Sequence, residues 1–361
     1  MFKNSKLVKK ITLYLLCTVL ICFWITKMIL SSSGFDSNNL FNGFDSNFNI
    51  GEHWNGFNYK YNYDVNEEKS IEPSNINSIK IDMVSADIKV LMSEDDNIKA
   101  TLKGYVKSSE EASNPKLDMT SKEGILYITS QNNAFKGFSS YSMDLKLEIF
   151  IPKSYINDLY IKSTSSDVSI NPLNLNNLNI ITTSGFIEAE EITVKSFNFT
   201  STSGDLDINK LNSTQNEIQT ASGNIEVKSI EGNSSISSTS GDLNIDRLSS
   251  NQNQIRTTSG NIEIHSIEGS LTLNSTSGDS YLKYSKMPSG NIDISSISGN
   301  LELLTPSNAE YFIDASSTSG NITLNKPILA EVKKEHQLKG IVGSDNCKIN
   351  IKTTSGDVTI K

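Results

Sequence analysis

Acidic and amide side chains recur along this 361-residue chain at intervals that could build a cation site. Asp205, Asn224, Asp242, Asn261 and Asp279 follow one another every 18 or 19 residues, alternating carboxylate with amide. A second series holds Glu188, Asp207, Glu226, Asn244, Glu263 and Glu302. Stacked carboxylates could supply the several oxygen ligands that Ca²⁺ takes, or attract cationic peptides and polymers. The candidate acidic column is therefore Asp205, Asp207, Glu226, Asp242, Glu263 and Asp279. The favoured competing reading gives Asp and Asn to turn conformation and leaves a solvated face. The Gly-Gly-x-Gly-x-Asp pattern of calcium-binding β-rolls does not occur. His53, His265 and His336 lack His-x-x-x-His spacing and the three cysteines lack Cys-x-x-Cys, so no metal site is assigned. There is no Gly-x-Ser-x-Gly elbow and no phosphate-cradling glycine-rich loop. No catalytic or cofactor-binding residue is assigned, and no cofactor is expected.

Those residues lie within a repeat that must position them. A Thr/Ser-Ser-Gly-Asp/Asn motif places its glycine at Gly185 (followed by Phe186), Gly204, Gly223, Gly241, Gly260, Gly278, Gly299, Gly320 and Gly356. The first intervals are 18 or 19 residues, the next two are 21, and the last is 36, close to two units. Ser166 reads as a degenerate first copy. Two and four residues after the glycine come apolar pairs such as Leu206/Ile208, Ile225/Val227 and Ile262/Ile264, the alternation of a strand with one buried face. Offset seven gives Ile192, Leu211, Ile230, Leu248 and Ile267, and offset thirteen or fourteen gives Phe199, Ile218, Ile236, Ile255 and Leu273. No unit can bury this face alone, so the units must stack. The prediction is an all-β, single-stranded β-solenoid (β-helix) with about ten coils of 18–21 residues over 161–361, preceded by an N-terminal transmembrane helix. At a rung spacing of about 4.8 Å the rod is roughly 50 Å long. The repeated glycines are expected to serve as structural turns with positive φ. A globular sandwich, the rival, would not hold so constant a register.

Only 36% of the residues are hydrophobic and 20% are charged, which suits a narrow solenoid core better than a thick two-layer α/β core. The net charge of −9 argues against nucleic acid as a partner. Residues 11–30 form an apolar run of bilayer length, preceded by Lys3, Lys6, Lys9 and Lys10. The domains read as a cytoplasmic basic end (1–10), a transmembrane anchor (11–30), a flexible linker rich in aromatic and Asn residues (31–70), an N-terminal β cap with early coils (71–160) and the repeat solenoid (161–361). A cleaved signal peptide is the alternative, and a lipoprotein site at Cys22 fits less well because Ile21 precedes it. The period breaks at 325–345, with Lys333, Lys334, Glu335, His336 and Lys339; a disordered turn is expected there, a binding loop being the alternative.

The segments Ile79-Lys-Ile-Asp, Ala86-Asp-Ile-Lys-Val and Leu147-Glu-Ile-Phe-Ile-Pro-Lys, the repeated Thr-Ser-Gly-Asp/Asn and the ending Asn346-Cys-Lys-Ile-Asn-Ile-Lys-Thr-Thr-Ser-Gly-Asp-Val-Thr-Ile resemble a bacterial "putative adhesin" family of membrane-anchored domains with β-strand repeats. The resemblance covers roughly 71–361 and implies exposure at the cell surface, with adhesion or envelope sensing as the role; it carries no catalytic residues. The function expected is that of a non-enzymatic, membrane-anchored extracytoplasmic module, adhesin-like, envelope-sensing or scaffolding. The expected partners are the membrane together with a cell-wall polymer, an envelope protein or another solenoid. A carbohydrate-active enzyme on a β-helix is one alternative, which would need clustered acids and bases at 325–345. A self-assembling surface scaffold, joined through open backbone groups at Thr359-Ile-Lys, is the other.

Overall fold

Each repeat brings two short apolar stripes, and covering both requires two walls facing one another. The computed structural model describes residues 59–111, 115–131 and 141–361. The basic end, the expected anchor, most of the linker and His53 lie outside these residues. Among the described residues no helix is long and apolar enough to cross a membrane.

The described residues form one compact unit of strands with a single 3-10 turn at Pro73–Asn75. Every rung contributes one strand before the corner glycine and one after it, and each kind stacks in parallel on its own sheet. In the post-glycine sheet Ile187, Leu206, Ile225, Leu243 and Ile262 are in register. In the pre-glycine sheet Leu159, Leu178, Phe197, Asn216, Ser234 and Asn253 are in register. The long strands Asp205–Thr220, Ile225–Ser240 and Leu243–Ser259 belong to both sheets, bending at a second corner. Ile208, Leu211, Ile218, Ile230, Ile245 and Leu248 are wholly buried between the sheets. Burial of such a side chain contributes about 1.5–3 kcal/mol, and each is covered by the rungs on either side. The fold is therefore the expected solenoid, with ten rungs from Asp158–Ser163 onward.

The difference between 18- and 19-residue units lies at the second corner. Longer units turn there through Ser213-Thr214 and Ser250-Asn251, and the register shifts beside them. Shorter units use Gly232 and Gly269, with φ of +103° and +93°, and so save a residue. At the first corner the expected positive φ holds at Gly260 and Gly278 but not at Gly204, Gly223 or Gly320. What all these positions share is close approach: a Cβ on Gly223 would lie 2.0 Å from the Gly204 carbonyl oxygen of the rung below. Glycine is needed there because another backbone occupies the space.

At both ends the order in space departs from the order in the chain. The rung of Lys348–Thr353 and Val358–Ile360 lies between the Gly299 and Gly320 rungs: Leu301 pairs with Val358, and Val358 with Ile322. Likewise Ile349 sits between Ile292 and Ile313. The last strand is thus paired on both edges, which corrects the expectation of open backbone groups at Thr359-Ile-Lys and removes that basis for end-to-end assembly. The 325–345 segment is no disordered turn. Leu329–Lys334 and Gln337–Val342 form an antiparallel hairpin, and its second strand closes the pre-glycine sheet against Tyr311–Ser317.

At the other end Ser78–Met83 lies between Ile125–Gln131 and Asp158–Ser163. Beyond the outermost rung the stacking switches to antiparallel, with Ile98–Ser108 on Tyr141–Pro152 and Tyr61–Ile71 on Ile98–Ser108. This places residues 61–70 in a strand rather than in the expected linker. Val65 is buried there, and Glu67, Glu68 and Lys69 keep the edge polar.

Burial also perturbs titratable groups in the core, two tyrosines and a cysteine among them. It drives the Tyr284 phenol, helped by nearby Cys347, and the Tyr155 phenol, helped by Asp158, far above the usual tyrosine range. It pushes the Cys347 thiol up to about 11. All three are held neutral in the fold, so their stabilisation is complete below the unfolded pKa values, about 8.5 for Cys and 10 for Tyr. It is lost as pH rises above them. The melting temperature is expected to stay level between pH 7 and 8 and to fall progressively above about pH 9–10, as followed by circular dichroism.

Candidate functional site: the corner ladder and two outer faces

The alternating Asp/Asn series forms a continuous ladder at the glycine corner. Asp205 Oδ1 accepts the Asn224 N–H at 2.7 Å, Asn224 Oδ1 accepts the Asp242 N–H at 3.0 Å, and Asp242 Oδ1 accepts the Asn261 N–H at 2.7 Å. The series continues from Asn261 to Asp279 and from Asp279 to Asn300. It then crosses to Asp357 at 3.0 Å and ends on Asn321 at 2.8 Å. Along the chain the last three members read Asn300, Asn321, Asp357; in space they read Asn300, Asp357, Asn321, so strict alternation is restored. Carboxylates two rungs apart, at about 9.6 Å, repel far less than neighbours at about 4.8 Å. The corner acids therefore work as rung-to-rung connectors. Beside them Ser184, Ser277, Ser298 and Ser319 donate their hydroxyls to carbonyls of the neighbouring rung.

Asp207, Glu226 and Glu263 project from the outer face of the post-glycine sheet. Asp207 and Glu226 are register neighbours, while Asn244 separates Glu226 from Glu263. The candidate acids thus divide between two columns. Among the described residues no group of three or more His, Cys, Asp or Glu side chains could hold a metal ion. On this face Lys210 pairs with Glu191 at 2.8 Å and Arg247 with Glu268 at 3.3 Å, and His265 Nε2 lies 3.4 Å from Glu263 Oε1. His265 also packs beside the Tyr281 ring, 5.8 Å between centroids. His336 Nδ1 lies 2.9 Å from the Gly320 carbonyl oxygen. In the end hairpin Lys339 pairs with Glu331 at 2.9 Å and sits over the Phe312 ring.

Sequence reasoning missed a buried polar row inside the pre-glycine sheet. Asn216, Ser234 and Asn253 take the inward position filled by Phe197 in the preceding rung. Asn216 donates to Ser234 Oγ at 3.2 Å and accepts from the Ser213 hydroxyl at 2.6 Å; Asn253 accepts from the Ser250 hydroxyl at 2.7 Å. The signal was the departure from apolar character two residues before Ile218, Ile236 and Ile255.

A family model describing the Toastrack domain matches residues 76–246 and again 232–361, nearly all of the solenoid. The chain belongs to the Toastrack DUF4097 family. This Toastrack chain is also similar to solved structures. One is a "putative adhesin" from Parabacteroides distasonis, at 15% identity over 82% of this chain and 97% of that chain, with a TM-score of 0.39. Another, of the same description, comes from Parabacteroides merdae, at 13% identity over 82% and 96%, with a TM-score of 0.37. A third is a "putative lipid binding protein" from Parabacteroides distasonis, at 14% identity over 82% and 97%, with a TM-score of 0.37. No curated protein matches the Toastrack chain.

Proposed function

We propose that this chain is a non-enzymatic, adhesin-like display module, held at the membrane by residues 11–30 with the solenoid outside the cell. The observation that carries the reading is the unbroken corner ladder. It locks successive rungs into one register, so outward side chains recur about every 4.8 Å along the rod. Such an array makes many weak contacts at once with a repeating envelope partner, and their summed effect exceeds any single contact. Envelope sensing would use the same rigid presentation. A self-assembling scaffold has less support, because the final strand is already paired on both edges.

The test has two readouts. Extracellular protease added to intact cells is expected to remove a C-terminal tag, and the purified full chain in detergent is expected to sediment with isolated cell envelopes. A tag protected until the cells are lysed, or a chain that stays in the supernatant, would overturn the proposal.

A further inference from the structure

The two outer faces of the solenoid differ in chemistry. The post-glycine face carries many charges, some of them in ion pairs such as Lys210–Glu191 and Arg247–Glu268, whereas the pre-glycine face carries polar side chains with no partner. Among the described residues, Gln254, Arg256, Thr272, Asn274 and Ser295 make no hydrogen bond or ion pair through their side chains. They form two in-register rows: Gln254, Thr272 and Asp293 in one, Arg256, Asn274 and Ser295 in the other. The face is hollowed along the rod. Three depressions of about 380, 510 and 720 Å³ lie on it. They adjoin, because Asn274 and Ser295 line the first and second while Thr272 and Asp293 line the first and third. The trough crosses the rungs from Thr220 to Asp314.

We infer that this trough binds an extended, uncharged polysaccharide lying along the rod axis. The inference rests on the display-module reading and names its ligand class. Free hydroxyl and amide groups both donate and accept, as sugar hydroxyls require. A rung advance of about 4.8 Å is comparable to one sugar unit in an extended chain, so equivalent groups meet equivalent hydroxyls. Charge favours a neutral polymer. Arg256 and Lys352 are offset within the trough by Asp293 and Asp314, and Asp293 already accepts a hydrogen bond from Asn350 at 2.5 Å. A polyanion would meet those acids and a polycation those bases. The shallow, repeated arrangement suits many modest contacts rather than one deep pocket.

Affinity electrophoresis of the full chain in mild detergent tests the inference, using gels cast with hydroxyethyl cellulose, laminarin or hyaluronan. At least one neutral glucan is expected to retard the protein, and hyaluronan is not. The double substitution Gln254→Ala/Asn274→Ala is expected to weaken retardation about tenfold, since each side chain removed costs one modest hydrogen bond. Asp207→Ala/Glu226→Ala, on the other face, is expected to leave it unchanged. Unchanged melting curves establish that the variants fold. The inference fails if neither glucan retards the chain, if hyaluronan alone does, or if the trough variant binds as wild type does. Sedimentation with envelopes separates the two readings: a chain that sediments but ignores both glucans keeps the display module and loses the trough.

Discussion

Deletion of residues 346–361 is expected to unfold the C-terminal end of the solenoid rather than merely shorten it. An ordinary terminal coil has one neighbour, and its loss uncovers one interface. This segment has two: Ile349 and Ile351 pack between the Ile292/Ile294 and Ile313/Ala315 rungs, and Val358 and Ile360 between the Leu301/Leu303 and Ile322/Leu324 rungs. Cys347, Ile349, Ile351, Val358 and Ile360 are all buried, each contributing about 1.5–3 kcal/mol. Removing them also leaves open backbone groups on four flanking strands. Amide exchange is expected to lose protection from Asn291–Ser296 through Tyr311–Ser317, while Asp205–Thr220 stays protected, because rungs couple chiefly to their nearest neighbours. Retained protection at Ile292 and Ile313 would contradict the inserted position of the last rung.

The second large effect is expected from Gly260→Ala. The φ of Gly260 is +124°, and a Cβ there would lie 2.2 Å from the Gly241 carbonyl oxygen and 2.8 Å from its carbon. Strain at such a φ costs on the order of 1–3 kcal/mol, and the overlap with backbone forces two rungs apart in addition. A total of about 3 kcal/mol or more is expected, read as lost exchange protection at Ile245 and Ile262 and a lower melting temperature. Gly223→Ala separates the two causes. Gly223 has no positive φ, yet its Cβ would stand 2.0 Å from the Gly204 oxygen, so its cost should be smaller by the conformational part alone. Equal costs at the two sites would show that conformation contributes nothing and close approach everything.

Much of the architecture was legible because a solenoid repeats its requirements. The pairs Leu206/Ile208 and Ile225/Val227 announce strand, face and period together, and their recurrence every 18 or 19 residues leaves stacking as the way to cover them. The candidate site was only half legible. Spacing put Asp205, Asp242 and Asp279 in one column, yet it could not tell an oxygen aimed at a cation from one aimed at the amide of the next rung. That depends on side-chain direction, which the period does not encode. The unpartnered Gln254 and Asn274 carry no signal at all, since their freedom is a property of what surrounds them.

Chain order was the other limit. By itself the sequence determined the strands, the rung length, the buried columns and the need for glycine at each corner, since these follow from local pattern and from neighbours one period away. Only the tertiary structure decided which rungs are neighbours at the two ends. The slot between the Gly299 and Gly320 rungs is filled by the last segment because a strand inserted there gains two partners instead of one. The pattern of Asn300, Asn321 and Asp357 makes sense only in that order.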